Sequence, residues 1–404
     1  MFLYHNKEFI LKQGEKLIPL KKIIEKEKPP FYLYDIEGLK NWYQNFLSKS
    51  HNKVKVFFSM KSNFNPHVLK ALKDEGAGVD IVSEGEALLA QKCGFKAKDI
   101  VFSGVGKTVK ELEKAVKQKF FQINVESFEE LKRLALICLK YKKKARIALR
   151  MNPNIDFSSH PYIKTGLKGH KFGLESSELK KILSFIKKNQ YLHLQGLSMH
   201  IGSQIFDLKP LFKSIRFLKS LYEKLQQEGW PLKVLDIGGG LGVNYQKEDF
   251  KEEEKNLKEF GKFLKTLFKG FKGQVITEPG RFLTARFGIL CAKIEYIKQS
   301  PDKKFIILNT GMNHFLRTAL YSDEHRILSL KASSKNLQKY DVVGPICETA
   351  DCFAKDIFLP ELKSGDSLII ADTGAYGFVM SNSYNLQTPV REIAFDKGKK
   401  LLKY

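Results

Sequence analysis

The chain reads as an α/β protein: a (β/α)8 TIM-like barrel followed by a C-terminal antiparallel β domain. Three observations predict this. Apolar runs of β type recur at about 54–58, 78–82, 100–102, 121–125, 146–150, 194–199, 233–237 and 274–277. Between them lie stretches of helical period at 66–74, 84–92, 109–118, 128–140, 177–188, 208–228 and 250–268. Strands that alternate with helices pair in parallel, and eight of them are enough to close a barrel. After residue 278 the texture changes: strand runs such as Phe305-Ile306-Ile307-Leu308 and Ser367-Leu368-Ile369-Ile370-Ala371 are separated by Gly, Pro and Asp, and helical stretches thin out.

The helix starts carry their own signals. Asn65-Pro66, Ser83 and Thr108 each stand just before a helical stretch, where a short polar side chain satisfies the free N–H groups of the first turn. Residues 1–34 hold a strand candidate around Leu3 to Leu11 and a basic segment that ends at Pro29-Pro30, before Phe31-Tyr32-Leu33-Tyr34. This entry segment is expected to pair with the C-terminal domain. The organisation is then an N-terminal segment over 1–34, the barrel over 35–277 and the β domain over 278–404.

A chain of 404 residues, 43% hydrophobic, has room for a large barrel and a smaller partner. No stretch approaches the roughly 20 uninterrupted apolar residues of a membrane span. His5, Lys7 and Glu8 break the apolar N-terminus where a signal peptide needs continuity, so a cytoplasmic protein without a membrane partner is expected. Five cysteines with no Cys-x-x-Cys pair argue against a disulfide framework and against a zinc site, so no metal is expected. The formal charge of +25 raises nucleic acid as a partner. The lysines are dispersed, however, and interleaved with Glu, as in Lys251-Glu252-Glu253-Glu254-Lys255, which describes a solvated helix face. No nucleic-acid partner is expected; the positive field suits small carboxylates and phosphates.

In a barrel of this kind the reactive groups gather at the carboxyl ends of the strands. The first run, Val54 to Phe58, leads to Lys61, and the sixth to His200, Gly202 and Ser203. The seventh leads to Gly238-Gly239-Gly240 and the eighth to Glu278-Pro279-Gly280-Arg281. Each has a plain reading and a chemical one. Lys61 is either a solvated lysine or an amine made nucleophilic by apolar surroundings. His200 is either a core histidine or a flat ring for stacking. The glycines make either a tight turn or a cradle of N–H groups for a phosphate, with Ser203 adding a hydroxyl. Glu278 and Arg281 form either a structural ion pair or a carboxylate for a ring nitrogen beside a cation for an oxyanion. Taken together, they are the parts that hold pyridoxal 5′-phosphate.

Phe58-Ser59-Met60-Lys61-Ser62-Asn63, His200-Ile201-Gly202-Ser203-Gln204, Gly238-Gly239-Gly240-Leu241-Gly242 and Glu278-Pro279-Gly280-Arg281 resemble, in order, the signature series of the pyridoxal-phosphate-dependent decarboxylases with an alanine racemase-like barrel. Gly344-Pro345-Ile346-Cys347-Glu348-Thr349-Ala350-Asp351 resembles the loop that carries a cysteine acid and a substrate-binding glutamate in the diaminopimelate branch of that family. Arg317 and Tyr321 match its residues for the distal carboxylate, and Tyr376 its tyrosine for cofactor and substrate. Asn309 and His314 stand where the family commonly has Asp, and Thr318 where it has Pro.

The resemblance implies a lyase that removes the carboxylate of meso-diaminopimelate to give L-lysine. Relatives acting on ornithine, arginine or a carboxylated polyamine are the alternative. It also implies that Lys61 bonds the cofactor, with His200, Ser203, Gly238, Gly239, Gly240, Glu278, Gly280, Arg281 and Tyr376 around it. Cys347 acts as proton donor, Arg281, Arg317, Tyr321, Glu348 and Tyr376 hold the substrate, and a homodimer shares its active sites.

Overall fold

The computed structural model describes residues 1–50, 54–155 and 171–402. It divides into two compact units: Tyr43–Val243 with Lys251–Phe282, and Met1–Trp42 with Asn244–Phe250 and Leu283–Tyr404.

The first unit is a closed barrel of parallel strands, in chain order Val54–Ser59, Gly78–Ile81, Ile100–Phe102, Gln122–Val125, Ala145–Arg150, Leu192–Ser198, Val234–Asp236 and Gln274–Thr277. Closure comes from pairing of the last strand with the first, Val275 opposite Val54 and Thr277 opposite Val56. Both faces of these strands are covered, so Gly78–Ile81 and Gln122–Val125 are buried at every position, which is why they read as runs rather than alternations. Phe57, Val101, Val234 and Ile276 pack together as one apolar cluster. The helices begin at the caps foreseen: Asn65 accepts from the His67 N–H, Ser83 from that of Glu86, and Thr108 and Glu111 form a reciprocal capping box.

The second unit departs from expectation in three places. The N-terminal strand is a hairpin, Phe2–His5 against Glu8–Gln13, turned at Asn6 and Lys7, both with positive φ (47° and 66°). That is the twist a two-residue hairpin loop requires, without the Asn-Gly pair that usually signals it. The basic segment forms the helix Leu20–Glu27, which buries Leu20, Ile23 and Ile24 on one face. The sheet is mixed rather than antiparallel: Lys304–Leu308 runs parallel to Leu337–Val343, and Phe31–Asp35 runs parallel to Arg391–Asp396. Between the first two, the chain leaves through the helix Arg317–Tyr321 and the strand Ile327–Ser329, a detour long enough to re-enter in the same direction. Phe31–Asp35 also pairs antiparallel with Gly288–Gln299.

Two departures from the family pattern have a local cause. Asn309 donates to the Pro29 carbonyl at 3.0 Å and accepts from the Lys293 N–H at 2.9 Å, and a carboxylate lacks that donor. His314, 3% exposed, lies 2.9 Å from both Thr310 Oγ1 and the Thr388 carbonyl, so its ring bridges a hydroxyl and a carbonyl.

The helix Lys251–Leu267 meets the end of the helix Ile36–Lys49 so closely that a Cβ on Gly261 would stand 1.9 Å from the Lys49 carbonyl oxygen. Gly261→Ala should therefore force the two apart and destabilise the protein by about 1–3 kcal/mol. Calorimetry is the check: the unfolding temperature should fall by several degrees, and an unchanged transition refutes the close approach.

Candidate active site

Lys61, Ser103, Asn124, Arg150, Ser198, Met199, His200 and Glu278 line a pocket at the carboxyl ends of the barrel strands. The strand Val54–Ser59 ends in a single 3-10 turn, Met60–Ser62, and that turn carries the Lys61 side chain into the pocket. Asp80, 1% exposed at the end of the second strand, places Oδ2 4.0 Å from Lys61 Nζ. The same oxygen accepts from Ser59 Oγ at 2.9 Å.

His200 follows the sixth strand. The Gly239 N–H donates to its Nδ1 at 3.4 Å, which leaves the ring hydrogen on Nε2. Burial first, then the positive charges of Lys61 and Arg150, push its pKa well below the usual histidine range. The imidazole is neutral and presents a flat face. Arg150 is anchored by Glu126, at 2.8 Å.

At the glycines the structure shows the tight turn of their plain reading. Gly238 and Gly240 have φ of +64° and +121°, where a side chain is strained. A Cβ would lie 2.3 Å from the Met199 carbonyl at Gly238, 2.4 Å from that of Glu278 at Gly239, and 2.6 Å from that of Gly202 at Gly240. The loops after the sixth, seventh and eighth strands thus approach one another backbone to backbone at these glycines. At Gly280 a Cβ would stand 2.8 Å from Ser62 Oγ. Arg281, 5% exposed, donates from Nε to Ser203 Oγ at 3.2 Å, so the predicted hydroxyl and cation belong to one cluster.

Glu278 has a buried carboxylate neighbour, Asp236. Burial raises the pKa of both, Asp236 to about 6 and Glu278 well above its usual range, and each is pushed further by the charge of Asp80. Asp236 lies within the motif that supplies the glycines. Its role, like those of Asp80 and Asn124, escaped the sequence reading, although a polar residue inside an apolar run (Val79-Asp80-Ile81, Ile123-Asn124-Val125) is a signal in itself. Glu86 is a further acid of this neighbourhood: it caps the Val82 N–H at 2.7 Å, and burial lifts its pKa to about 7.

The remaining predicted residues lie in the second unit. Arg317, 1% exposed, pairs with Asp323, and its guanidinium carbon is 5.4 Å from the ring centres of Tyr245 and Tyr321 and 5.9 Å from that of Tyr376. Arg317, Tyr321 and Tyr376 are thus brought together. Cys347 and Glu348 are exposed; Asn385 accepts from the Cys347 N–H at 3.1 Å, and the Tyr384 hydroxyl donates to Glu348. Asp351, buried beneath this loop, accepts from the N–H groups of Ile346 at 2.7 Å and Met312 at 2.6 Å.

The sequence profile described as pyridoxal-dependent decarboxylase, pyridoxal binding domain, matches residues 36–285. The chain belongs to this decarboxylase family. Among family members it is similar to the diaminopimelate decarboxylase of Aquifex aeolicus, 39% identical over 381 residues, which cover 94% of this chain and 90% of that protein. The enzyme of the same name from Helicobacter pylori strain J99 is 39% identical over 380 residues, 94% of this chain and 93% of that one. The crystal structure of Helicobacter pylori diaminopimelate decarboxylase complexed with L-lysine superposes with a TM-score of 0.88 at 37% identity, covering 94% and 96% of the two chains. Pyridoxal 5′-phosphate is the cofactor of the family, and the pocket fits it. An amine, a flat neutral ring and a carboxylate of raised basicity converge there, and buried Ser198 Oγ in the lining has no hydrogen-bond partner among the described residues.

The raised acids set a pH dependence. A carboxyl that holds its proton more tightly folded than unfolded makes the folded state bind more protons between the two pKa values, so stability falls as pH rises through that window. For Glu86, with a model-peptide value near 4.5 and a folded value of about 7, the fall should run over that interval. Glu86→Gln should flatten it, by on the order of 1–2 kcal/mol at pH 8. Urea unfolding of the cofactor-free protein across pH 5 to 8 measures this; parallel curves for both proteins contradict it.

Proposed function

We propose that this protein decarboxylates meso-2,6-diaminopimelate to L-lysine and CO2. The observation that carries the reading is the meeting of Lys61, His200 and Glu278 in one barrel pocket, in a chain that matches diaminopimelate decarboxylases along 94% of its length. Lys61 would bond the cofactor's aldehyde carbon and release it to the substrate amine. His200 would lie against the ring, and the glycine loop, through the Gly240 N–H, with Ser203 would hold the phosphate, since the Gly238 and Gly239 N–H groups already donate to Asp236 and His200. When bound, pyridoxal 5′-phosphate supplies a pyridinium ring that accepts the electron pair left by the departing carboxylate. Glu278 is the acid that keeps the ring nitrogen protonated, a role its raised basicity supports.

Recognition of the diacid is assigned to the second unit. Arg317, enclosed by Tyr245, Tyr321 and Tyr376, is suited to a carboxylate that stays on the product; Asp323 is the partner it would exchange. Glu348, oriented by Tyr384, is suited to the distal ammonium, and Cys347 would return a proton to the α-carbon. Both residues are exposed on the chain alone, whereas a proton donor to a carbon centre has to be shielded from water. This supports a homodimer in which a second copy covers the Cys347 loop. A cytoplasmic location fits a chain in which no described helix is long and apolar enough to cross a membrane.

Purified protein should show a visible absorbance band that borohydride bleaches, and Lys61→Ala should lack it. Offered diaminopimelate, ornithine, arginine and carboxynorspermidine together, the enzyme should release lysine alone. A colourless wild type would remove the cofactor assignment, and putrescine, agmatine or norspermidine in place of lysine would remove the substrate assignment.

A further inference from the structure

One amide reaches both the Asp236 and Glu278 carboxyl groups, which also meet each other directly. Asn124 Nδ2 lies 3.2 Å from Asp236 Oδ2 and 3.4 Å from Glu278 Oε1, and a third acceptor, Ser103 Oγ, lies 3.1 Å away. Two N–H hydrogens face three acceptors. Asp236 Oδ1 is served by the Gly238 N–H at 3.0 Å. Two ionised carboxylates sharing so few donors away from water repel each other strongly, and the general resolution is one proton held between them. Asp80 adds a third negative charge facing the pair and Lys61 a positive one.

The orientation of the amide is itself determined. Gln122 Nε2 donates to Asn124 Oδ1 at 2.8 Å, which leaves only the nitrogen to face the carboxylates. Gln195 Nε2 in turn donates to Gln122 Oε1 at 3.2 Å and to the Phe121 carbonyl at 2.8 Å. The Asn124 backbone is pinned as well: buried Lys107 Nζ donates to its carbonyl at 2.7 Å and pairs with Glu130 at 2.8 Å. An amide relay thus runs across the barrel interior and ends on the carboxylates.

We propose that Asn124 is a positioning residue: its amide, turned by Gln122 and Gln195, holds Asp236 and Glu278 around one shared proton and sets how readily Glu278 leaves that proton on a pyridine nitrogen beside it. The proposal rests on the reading of Glu278 as the cofactor's ring partner. Without the Asn124 donor, the ionised pair is less stabilised, the carboxylates take the proton back, and the ring nitrogen loses it.

The test uses the full-length, cofactor-free chain and 4′-deoxypyridoxine 5′-phosphate, which has the ring and phosphate but no aldehyde for Lys61. Calorimetry gives its affinity, and the ring's near-ultraviolet absorbance gives the protonation of its nitrogen against pH. Asn124→Ala should weaken binding about tenfold, as loss of a hydrogen bond to a charged group does. It should also lower the midpoint of ring-nitrogen protonation by about one pH unit, tenfold in the proton equilibrium. Gln122→Leu should move both in the same direction and by less, and it decides the matter if Asn124→Ala does not fold. Wild-type affinity and midpoint in folded variants overturn the proposal when Glu278→Gln moves the midpoint. A midpoint unmoved by Glu278→Gln overturns the Glu278 reading instead, and the proposal with it.

Discussion

Burial of Asp80, Asp236 and Glu278 at one end of a parallel barrel is the interaction on which the rest of the site depends. The charge of Asp80 raises the cost of ionising Asp236 and Glu278, that of Asp236 adds to it at Glu278, and Lys61 and Arg150 disfavour a charged His200. The pocket thereby holds a neutral imidazole close to an acid of unusual basicity. Separating proton affinities in this manner gives one cavity both a neutral ring and a basic carboxylate.

That arrangement needs the strand ends to come close, and the glycines allow it. At Gly238, Gly239 and Gly240 the space for a side chain is filled by carbonyls of the neighbouring loops. An alanine there would push those loops apart before any ligand was considered. The backbone is used as closely as the space, since the Gly238 and Gly239 N–H groups are taken by Asp236 and His200.

In the second unit the organising group is Asp351. Its carboxylate accepts N–H groups from two loops, at Met312 and Ile346, and fills the space beside Gly311 and Gly344 where a Cβ would stand 2.7 and 2.4 Å from it. One buried acid so joins the segment leading to Arg317 with the segment leading to Cys347. Elsewhere in the unit Asp372 lies between Arg286 and Arg326, at 3.2 and 2.9 Å, and the two cations offset the burial cost of its charge.

The eight barrel strands, their intervening helices and the position of Lys61 were legible in the sequence, because periodicity and capping are local properties. So were the glycines and Glu278, each marked by a strand end. The hairpin at Asn6 and Lys7 was not, since its turn uses residues that carry no strong turn signal, and the parallel pairing of Lys304–Leu308 was not, since direction depends on a distant crossover. The same limit hid the role of Asn124, which meets Asp236 and Glu278 across 112 and 154 residues of chain. By itself the sequence determined which chemistry the strand ends carry. Only the tertiary structure decided which carboxylates share a neighbour and which way the amide between them faces, because hydrogen-bond direction and burial arise when the barrel closes.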